Sequence, residues 1–334
     1  YCADVVEAVS EVASEAGIPH PDIITESGRA IVAYYSVLIV NILDVNRFEP
    51  RRQVDVAKDA PALVRNLHEL REETRNSRKQ EPSQRMDRLQ EIYNDAGIYR
   101  DKLRTEFSYG KVTLRERAQG EELYWEILTW LAKCQENLGN EGPEMERVQK
   151  VMTDYYYGNF SVFQSLPDLW AIDQIFPVMP IHCLKDKPTR NAVLSDITCD
   201  SDGKIDTFAH SGEFNQSLPL HDIDFENSKE DYLIGIFLVG AYQEILGDLH
   251  NLLGDTNVVS VRIDNGKLKY TQEIEGDTVS EVLTYCEYDP KDMLTRFRQL
   301  AESAVHSNRI TARERRDIVD AFEAGMRGYT YFET

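Results

Sequence analysis

From about Val54 to about Tyr157 the sequence reads as long amphipathic helices, and this block, set between stretches of strand-like sequence, most limits the folds open to the chain. Leu63, Leu67 and Leu70 fall on one stripe and Leu89, Ile92, Tyr93 and Ala96 on another, with glutamate and arginine on the other faces. Such stripes call for burial against other helices, so a block of long packed helices is predicted here. The run from Arg71 to Arg88 is charged enough that a mobile loop is expected within it. The breakers Gly139, Asn140, Gly142 and Pro143 set off the last helix.

Upstream, Val5, Val6, Val9, Val12, Ala13 and Ala16 recur at helical spacing, and Gly17 and Pro19 close that helix. Ile23 and Ile24 read as a strand leading into Glu26-Ser27-Gly28-Arg29, and Ala30 to Val40 is too β-branched and aromatic to read as helix. Helix, loop and strand in that order look like the last βα step of a (β/α)8 barrel. Downstream, Arg190 to Ile197, Tyr232 to Val239, Val258 to Ile263 and Leu268 to Ile274 are β-like runs, and Asn265-Gly266 between the last two is a hairpin signal. A β-sandwich or partial barrel is expected there. At the end, Met293, Phe297, Leu300 and Ala304 form one helical stripe, and Thr311-Ala312-Arg313-Glu314 is a capping box opening a second helix with Ile318 and Phe322. The expected fold class is α/β plus β: the end of a barrel with its crossing strand over residues 1–45, a helical insertion over 46–157, a β-domain over 158–287 and terminal helices over 288–334.

Composition narrows the function classes. A formal net charge of −21 over 334 residues, with lysine and arginine interspersed among acids, argues against a binder of phosphate backbones. The acidic surface is read first as a solvated face, and second as an attraction for a cationic substrate. Five scattered cysteines, Cys2, Cys134, Cys183, Cys199 and Cys286, have no CxxC spacing and suggest neither a disulfide framework nor a zinc site, so a reducing cytoplasm suits them. The longest greasy stretch, Ala30 to Val45, is broken by Ser36, Asn41 and Asp44 and falls short of the ~20 apolar residues of a membrane span. The start at Tyr1-Cys2-Ala3-Asp4, without methionine, is read as that of a fragment or processed piece.

Three segments carry chemistry-bearing residues. Ser195-Asp196-Ile197-Thr198-Cys199-Asp200-Ser201-Asp202-Gly203 sets a thiol beside a carboxylate and a tight turn; the other two are Glu26-Ser27-Gly28-Arg29-Ala30 and Gly240-Ala241-Tyr242-Gln243-Glu244. Taken singly, Glu-Ser-Gly-Arg reads as a surface turn, Tyr242 as packing and Cys199 as a small buried hydrophobe. A calcium loop aligned on Gly203 fails, because Thr198 and Ala209 would stand where Asp and a bidentate Glu are required. Asp202-Gly203 is better read as the turn pair of a hairpin. His182 and His250 lack a partner at metal-binding spacing and read as structural histidines.

Together with the helical insertion and the ending Gly328-Tyr329-Thr330-Tyr331-Phe332-Glu333, these segments resemble the carboxy-terminal half of the biosynthetic arginine decarboxylases, enzymes of the alanine-racemase-like class that use pyridoxal phosphate (PLP). The resemblance covers nearly the whole chain. It implies decarboxylation of L-arginine to agmatine, on the route to putrescine and spermidine, in a cytoplasmic homodimer or higher oligomer with shared active sites. It implies that Glu26 pairs with the pyridinium nitrogen, that Gly28, Arg29 and Tyr242 grip the phosphate, and that Cys199 and Asp200 serve the neighbouring subunit's site as proton donor and holder of the substrate tail. Asp168 or Asp173 would lie near the substrate's distal end. The family also implies magnesium, for which the sequence offers no ligand cluster. Tyr34, Tyr35 and Cys183 depart from the residues expected in close relatives. No strand bearing the family's Schiff-base lysine is found, so residues 1–334 alone are expected to be inactive without an upstream polypeptide. Sister decarboxylases of ornithine, lysine or diaminopimelate, and a non-catalytic regulatory homologue, remain alternatives.

Overall fold

The fold was analysed in a computed structural model, which describes residues 1–50, 54–76, 82–138, 148, 150–211, 213–224 and 231–333. The chain opens with α1 (Cys2–Glu15), stopped by Gly17 in a left-handed conformation (φ +65°). Residues 18–27 then run without regular structure, and the expected strand through Ile23 and Ile24 is not formed; Ile24 is 93% exposed. The next residues correct the sequence reading again, since α2 (Gly28–Val32) and a 3-10 turn (Ala33–Tyr35) replace extended chain. Tertiary contact overrides β-propensity here. The Gly240 N–H donates to the Ala33 carbonyl at 3.0 Å, and a Cβ on Gly240 would overlap the Val32 carbonyl and sit 2.6 Å from the Tyr35 ring. Only the second half of the apolar run becomes strand, β1 (Val37–Asn46).

Three helices follow: α3 (Ala62–Asn76), α4 (Pro82–Ser108) and α5 (Leu114–Leu138). Their stripes meet as predicted, in a core holding Val64, Leu67, Leu89, Ile92, Ala96, Leu123, Ile127 and Leu131. A Cβ on Gly120 would collide with Leu103, so glycine permits the close approach of α4 and α5. The stretch between Arg71 and Arg88, within which a loop is expected, is helical on either side of residues 77–81. Arg71 to Asn76 remain helical, and Arg71 is 5% exposed, donating to the Val54 carbonyl at 3.2 Å and pairing with Glu126 at 3.3 Å. Arg88 binds Glu73 at 2.6 Å, which pulls the Glu73 carboxyl below its ordinary range. Residues 77–81, and the breakers at 139–143, lie outside the described residues.

The sheet domain begins with β2 (Asp154–Gly158), two short helices α6 (Val162–Ser165) and α7 (Pro167–Ile172), and β3 (Val178–Pro180). There follow β4 (Arg190–Ser195), β5 (Lys204–Ile205), β6 (Phe208–His210), β7 (Glu213–Asn215), β8 (Leu218–Leu220) and β9 (Leu233–Phe237). Seven strands form one mixed sheet in the order β3-β9-β1-β2-β4-β5, with β8 also on β4. Only β2 and β4 pair in parallel among them. The sheet curls until β3 and β8 touch, giving a nearly closed barrel where a β-sandwich or partial barrel was expected. Val40, Ile42, Tyr156, Phe160, Leu194, Leu220, Ile234 and Ile236 fill it. Phe48 joins bundle to barrel, its ring centroid 5.1 Å from Trp125 and 5.9 Å from Tyr155.

A hairpin of β10 (Val258–Asp264) and β11 (Lys267–Ile274) turns at Asn265 (φ 51°) and Gly266 (φ 75°), the left-handed pair expected of Asn-Gly. The chain ends in α8 (Val279–Tyr285), α9 (Pro290–His306) and α10 (Ala312–Arg327). The Thr311–Glu314 capping box forms, and Phe297 stacks on Phe322 at 4.2 Å. Leu300 and Ile318, placed in the expected stripes, are exposed; Ala301 and Val319 are buried instead. Leu67 is fully buried at the centre of the bundle. Leu67→Ala is therefore expected to lower stability by about 2–5 kcal/mol, read from the urea transition of the helical signal; a change under about 0.5 kcal/mol would mean that this core does not hold the helices together.

Candidate active site

The first cluster forms where α2 meets the segment after β9. A Cβ on Gly28 would stand 2.6 Å from the Tyr242 phenol oxygen, so the hydroxyl lies directly over the glycine backbone. The Arg29 guanidinium carbon sits 5.0 Å from the centroid of the Tyr242 ring. Gly28, Arg29 and Tyr242, from separate segments of sequence, are thus brought together. Tyr242 holds φ at 71°, a conformation costly for a bulky residue, and its ring is left half-exposed. Glu26 is exposed on the irregular stretch before Gly28 and makes no hydrogen bond or ion pair among the described residues.

Arg29 has a partner that the sequence did not indicate. Its Nη1 donates to Asp168 Oδ2 at 2.7 Å, from a guanidinium 42% exposed to a carboxylate only 8% exposed. Gln243 Nε2 donates to the same oxygen at 2.6 Å, and the Asp168 backbone N–H returns a bond to Gln243 Oε1 at 3.1 Å. Burial alone would push the Asp168 carboxyl up; the Arg29 and Gln243 hydrogen bonds outweigh it and hold the group below the ordinary carboxylate range. Of the two residues expected near the distal end of a substrate, Asp168 or Asp173, Asp168 is buried and already engaged by Arg29 and Gln243. Asp173 is exposed, in a left-handed conformation at the end of α7 (φ 54°).

The second cluster is built on the β4–β5 hairpin. Asp196, 2% exposed, anchors the loop through its carboxylate and its backbone together. Its Oδ2 accepts the Val162 N–H at 2.8 Å, and its Oδ1 accepts the Thr198 N–H at 2.8 Å and the Thr198 hydroxyl at 2.7 Å, while its own N–H donates to the Gly203 carbonyl at 2.8 Å. Burial nevertheless raises the Asp196 carboxyl above its ordinary range. A Cβ on Gly203 would overlap the Asp196 carboxylate and the Thr198 hydroxyl. The loop so pinned presents Cys199, exposed, and Asp200, whose Oδ1 accepts the Asp202 N–H at 2.9 Å.

Asn251 brackets the cysteine: its Oδ1 accepts the Cys199 N–H at 3.3 Å and its Nδ2 donates to the sulfur at 3.5 Å. His250 stacks on Phe163 at 4.3 Å with Nε2 3.9 Å from Asp200 Oδ2, and the His182 Nδ1 lies 2.5 Å from the Asp231 carbonyl. Asp196 had a readable signal in Asp-x-Thr, which bends the chain by side-chain acceptance two residues on. Asn251 (φ 56°) belongs to the residue type that tolerates left-handed backbone, whereas Gln243 left no local trace. Cys183, Tyr34 and Tyr35 are exposed. Among the described residues no group of three or more His, Cys, Asp or Glu is placed to hold a metal ion, and no helix is long and apolar enough to cross a membrane.

Two outcomes are expected. Gly203→Ala should displace the Asp196 carboxylate and speed hydrogen exchange at the Val162 and Thr198 amides by about tenfold or more, as one hydrogen bond to a charged group is lost; unchanged exchange would show that the glycine is not needed. The stabilising contribution of the Asp168–Arg29 pair should be fully present above an ordinary carboxylate pKa of about 4 and fade only as pH falls through the lower native value. A difference in acid unfolding between the parent protein and Asp168→Asn measures it, and its disappearance at neutral pH would contradict this sign.

The sequence comparisons agree with this architecture. Residues 57–149 match the arginine decarboxylase helical bundle domain, and residues 279–332 the arginine decarboxylase C-terminal helical extension. The chain is 41% identical over 334 residues to a biosynthetic arginine decarboxylase of Phocaeicola vulgatus, covering 100% of this chain and 51% of the relative. It is 38% identical over 355 residues to that of Rhodopirellula baltica, covering 53% of the relative. The crystal structure of the biosynthetic arginine decarboxylase from Campylobacter jejuni superposes with a TM-score of 0.74 at 29% identity, over 99% of this chain and 51% of that one. The chain thus spans about half the length of the relatives it matches. By sequence, by both domain matches and by fold, the chain is similar over its whole length to about half of a biosynthetic arginine decarboxylase.

Proposed function

We propose that the protein takes part in the PLP-dependent decarboxylation of L-arginine to agmatine, as a biosynthetic step toward putrescine and spermidine. The observation that carries the reading is the meeting of Gly28, Arg29 and Tyr242, two hydrogen-bond donors around a glycine whose missing side chain lets the Tyr242 hydroxyl come down onto its backbone beside the Arg29 guanidinium. This is a donor set suited to a phosphate: a guanidinium with nitrogens left unpaired among the described residues, a phenol, and backbone unobstructed by a Cβ. The residues present therefore fit PLP. When bound, that cofactor supplies a protonated ring able to accept the electron pair of the breaking carbon–carboxylate bond.

Each residue then has a defined role. Arg29, Tyr242 and Gly28 hold the phosphate, and Glu26 sets a carboxylate against the ring nitrogen, whose proton it keeps in place. Cys199 moves a proton from its sulfur to the carbon that loses carboxylate, and Asn251 holds that residue at both its backbone and its sulfur. Asp200, exposed on the pinned loop, would accept from the planar fork of the substrate's guanidinium. Cys199 and Asp200 serve a neighbouring subunit, so a homodimer is the minimal working unit. The division of the chain at residues 45, 157 and 287, and a cytoplasmic location, are part of the same proposal. Magnesium comes with the family resemblance, but the described residues offer no ligand cluster that fits it, and no step depends on it.

The test is a substrate panel on the native, full-length protein. Arginine should be consumed faster than ornithine, lysine or diaminopimelate, with agmatine as product; faster turnover of any of the other three would select a sister activity, and no turnover at all a regulatory role. Cys199→Ala should lower kcat by about 10²- to 10⁴-fold, the range of a lost proton donor, while PLP stays bound. Glu26→Ala should cost activity through the ring nitrogen, and unchanged turnover in both variants would rule the reading out.

A further inference from the structure

Resting on the phosphate-grip reading of Gly28, Arg29 and Tyr242, we infer that Asp168 and Gln243 form a buried clamp that positions the Arg29 guanidinium for the phosphate of PLP. Arg29 needs such a device. It stands on a helix of only five residues, preceded by irregular chain, and its long side chain is 42% exposed. Nothing local to α2 prevents an arginine in that setting from sampling many rotamers, and a flexible cation grips an anion poorly.

The clamp supplies the missing order from two distant segments. Asp168, at the start of α7, receives Arg29 and Gln243 on a single oxygen, Oδ2, at 2.7 and 2.6 Å. The Gln243 amide is used up in this contact, since its Nε2 donates to Asp168 Oδ2 and to the Ala241 carbonyl at 2.7 Å, and its Oε1 takes the Asp168 N–H. With 2% exposure it has no access to solvent, so it fixes the carboxylate rather than meeting a ligand itself. The adjacent Tyr242, held at φ 71°, sends consecutive side chains to different surroundings, the phenol beside Gly28 and the amide of Gln243 into the interior. One strained residue therefore couples the hydroxyl at the proposed phosphate site to the brace behind the guanidinium. The asymmetry of the ion pair agrees with a positioning role. A pair with one member this exposed adds little to stability, whereas a buried, doubly bonded carboxylate fixes the direction of whatever donor it holds.

The experiment uses native, full-length protein stripped of cofactor, with pyridoxal phosphate and pyridoxal, which lacks the phosphate, as paired probes. Affinity is read from fluorescence quenching and folding from circular dichroism. Asp168→Asn should weaken pyridoxal phosphate by about tenfold or more, as one charge-assisted hydrogen bond is lost, and leave pyridoxal within about twofold. Gln243→Met, which keeps the volume and removes the amide, should give a smaller loss with the same selectivity, and it carries the test if Asp168→Asn fails to fold. The loss from Asp168→Asn should vanish in an Arg29→Ala background, since both act through one guanidinium. Equal weakening of both probes, or no weakening, would overturn the inference by reducing the clamp to a structural contact. If Arg29→Ala itself leaves the preference for the phosphorylated probe intact, the phosphate-grip reading falls and the clamp with it; if Arg29→Ala removes the preference and Asp168→Asn does not, only the clamp falls.

Discussion

The ion pair between Arg29 and Asp168 spans 139 positions of sequence and is the contact on which the arrangement of the site depends. It ties the amino-terminal turn, which has little regular structure of its own, to the barrel-like sheet. Gln243 makes the tie three-cornered by joining the segment after β9 to the same oxygen. Without it, the Gly28–Arg29 turn would be held chiefly by the packing of Val32 and Tyr35 on Gly240 and by two backbone hydrogen bonds near Ala33 and Ser36. An irregular stretch can carry functional groups with useful precision only when a rigid scaffold fixes it from outside, and here the scaffold is the curled sheet with its α6–α7 stretch.

The same two segments serve both clusters. The α6–α7 stretch receives the Asp196 carboxylate at Val162 and lends Asp168 to Arg29; between them Phe163 stacks on His250. The stretch from Gly240 to Leu253 carries Tyr242 and Gln243 at one end and His250 and Asn251 at the other, and its Asp248 N–H donates to the Phe163 carbonyl at 3.0 Å. A displacement in either stretch would therefore be felt at the thiol loop and at the Arg29 turn together. The helical bundle stands apart from this machinery and touches the barrel through the Phe48, Trp125 and Tyr155 rings.

Legibility in the sequence followed the range of the interactions. The bundle could be read because its stripes repeat at the helical period and bury only each other; the β10–β11 hairpin could be read because Asn-Gly demands left-handed backbone wherever it stands. The stretch from Ile23 to Tyr35 misled because β-branched content describes a preference for a pleated surface, and the surface actually met there is the backbone of Gly240. Charge pattern alone also gave no hint that Glu126 and the Val54 carbonyl, both distant in sequence, take Arg71 out of solvent. Gly28 with Arg29, Tyr242, and Cys199 with Asp200 lie in three short segments that taken singly read as a turn, as packing and as a buried hydrophobe, and it was the resemblance of the three together to one family that singled them out. The sequence left Asp168 and Asp173 as alternatives near a substrate and assigned no role to Gln243 or Asn251, because a side chain's partner across the fold leaves no local pattern.

The central claim is that Gly28, Arg29 and Tyr242 hold the phosphate of PLP. A structure of the native, full-length protein solved with its cofactor tests it most directly. The account predicts the phosphate within hydrogen-bonding distance, about 3 Å, of an Arg29 nitrogen and the Tyr242 hydroxyl, with Arg29 still bound to Asp168. A phosphate bound elsewhere, with Arg29 and Tyr242 facing solvent, would contradict it.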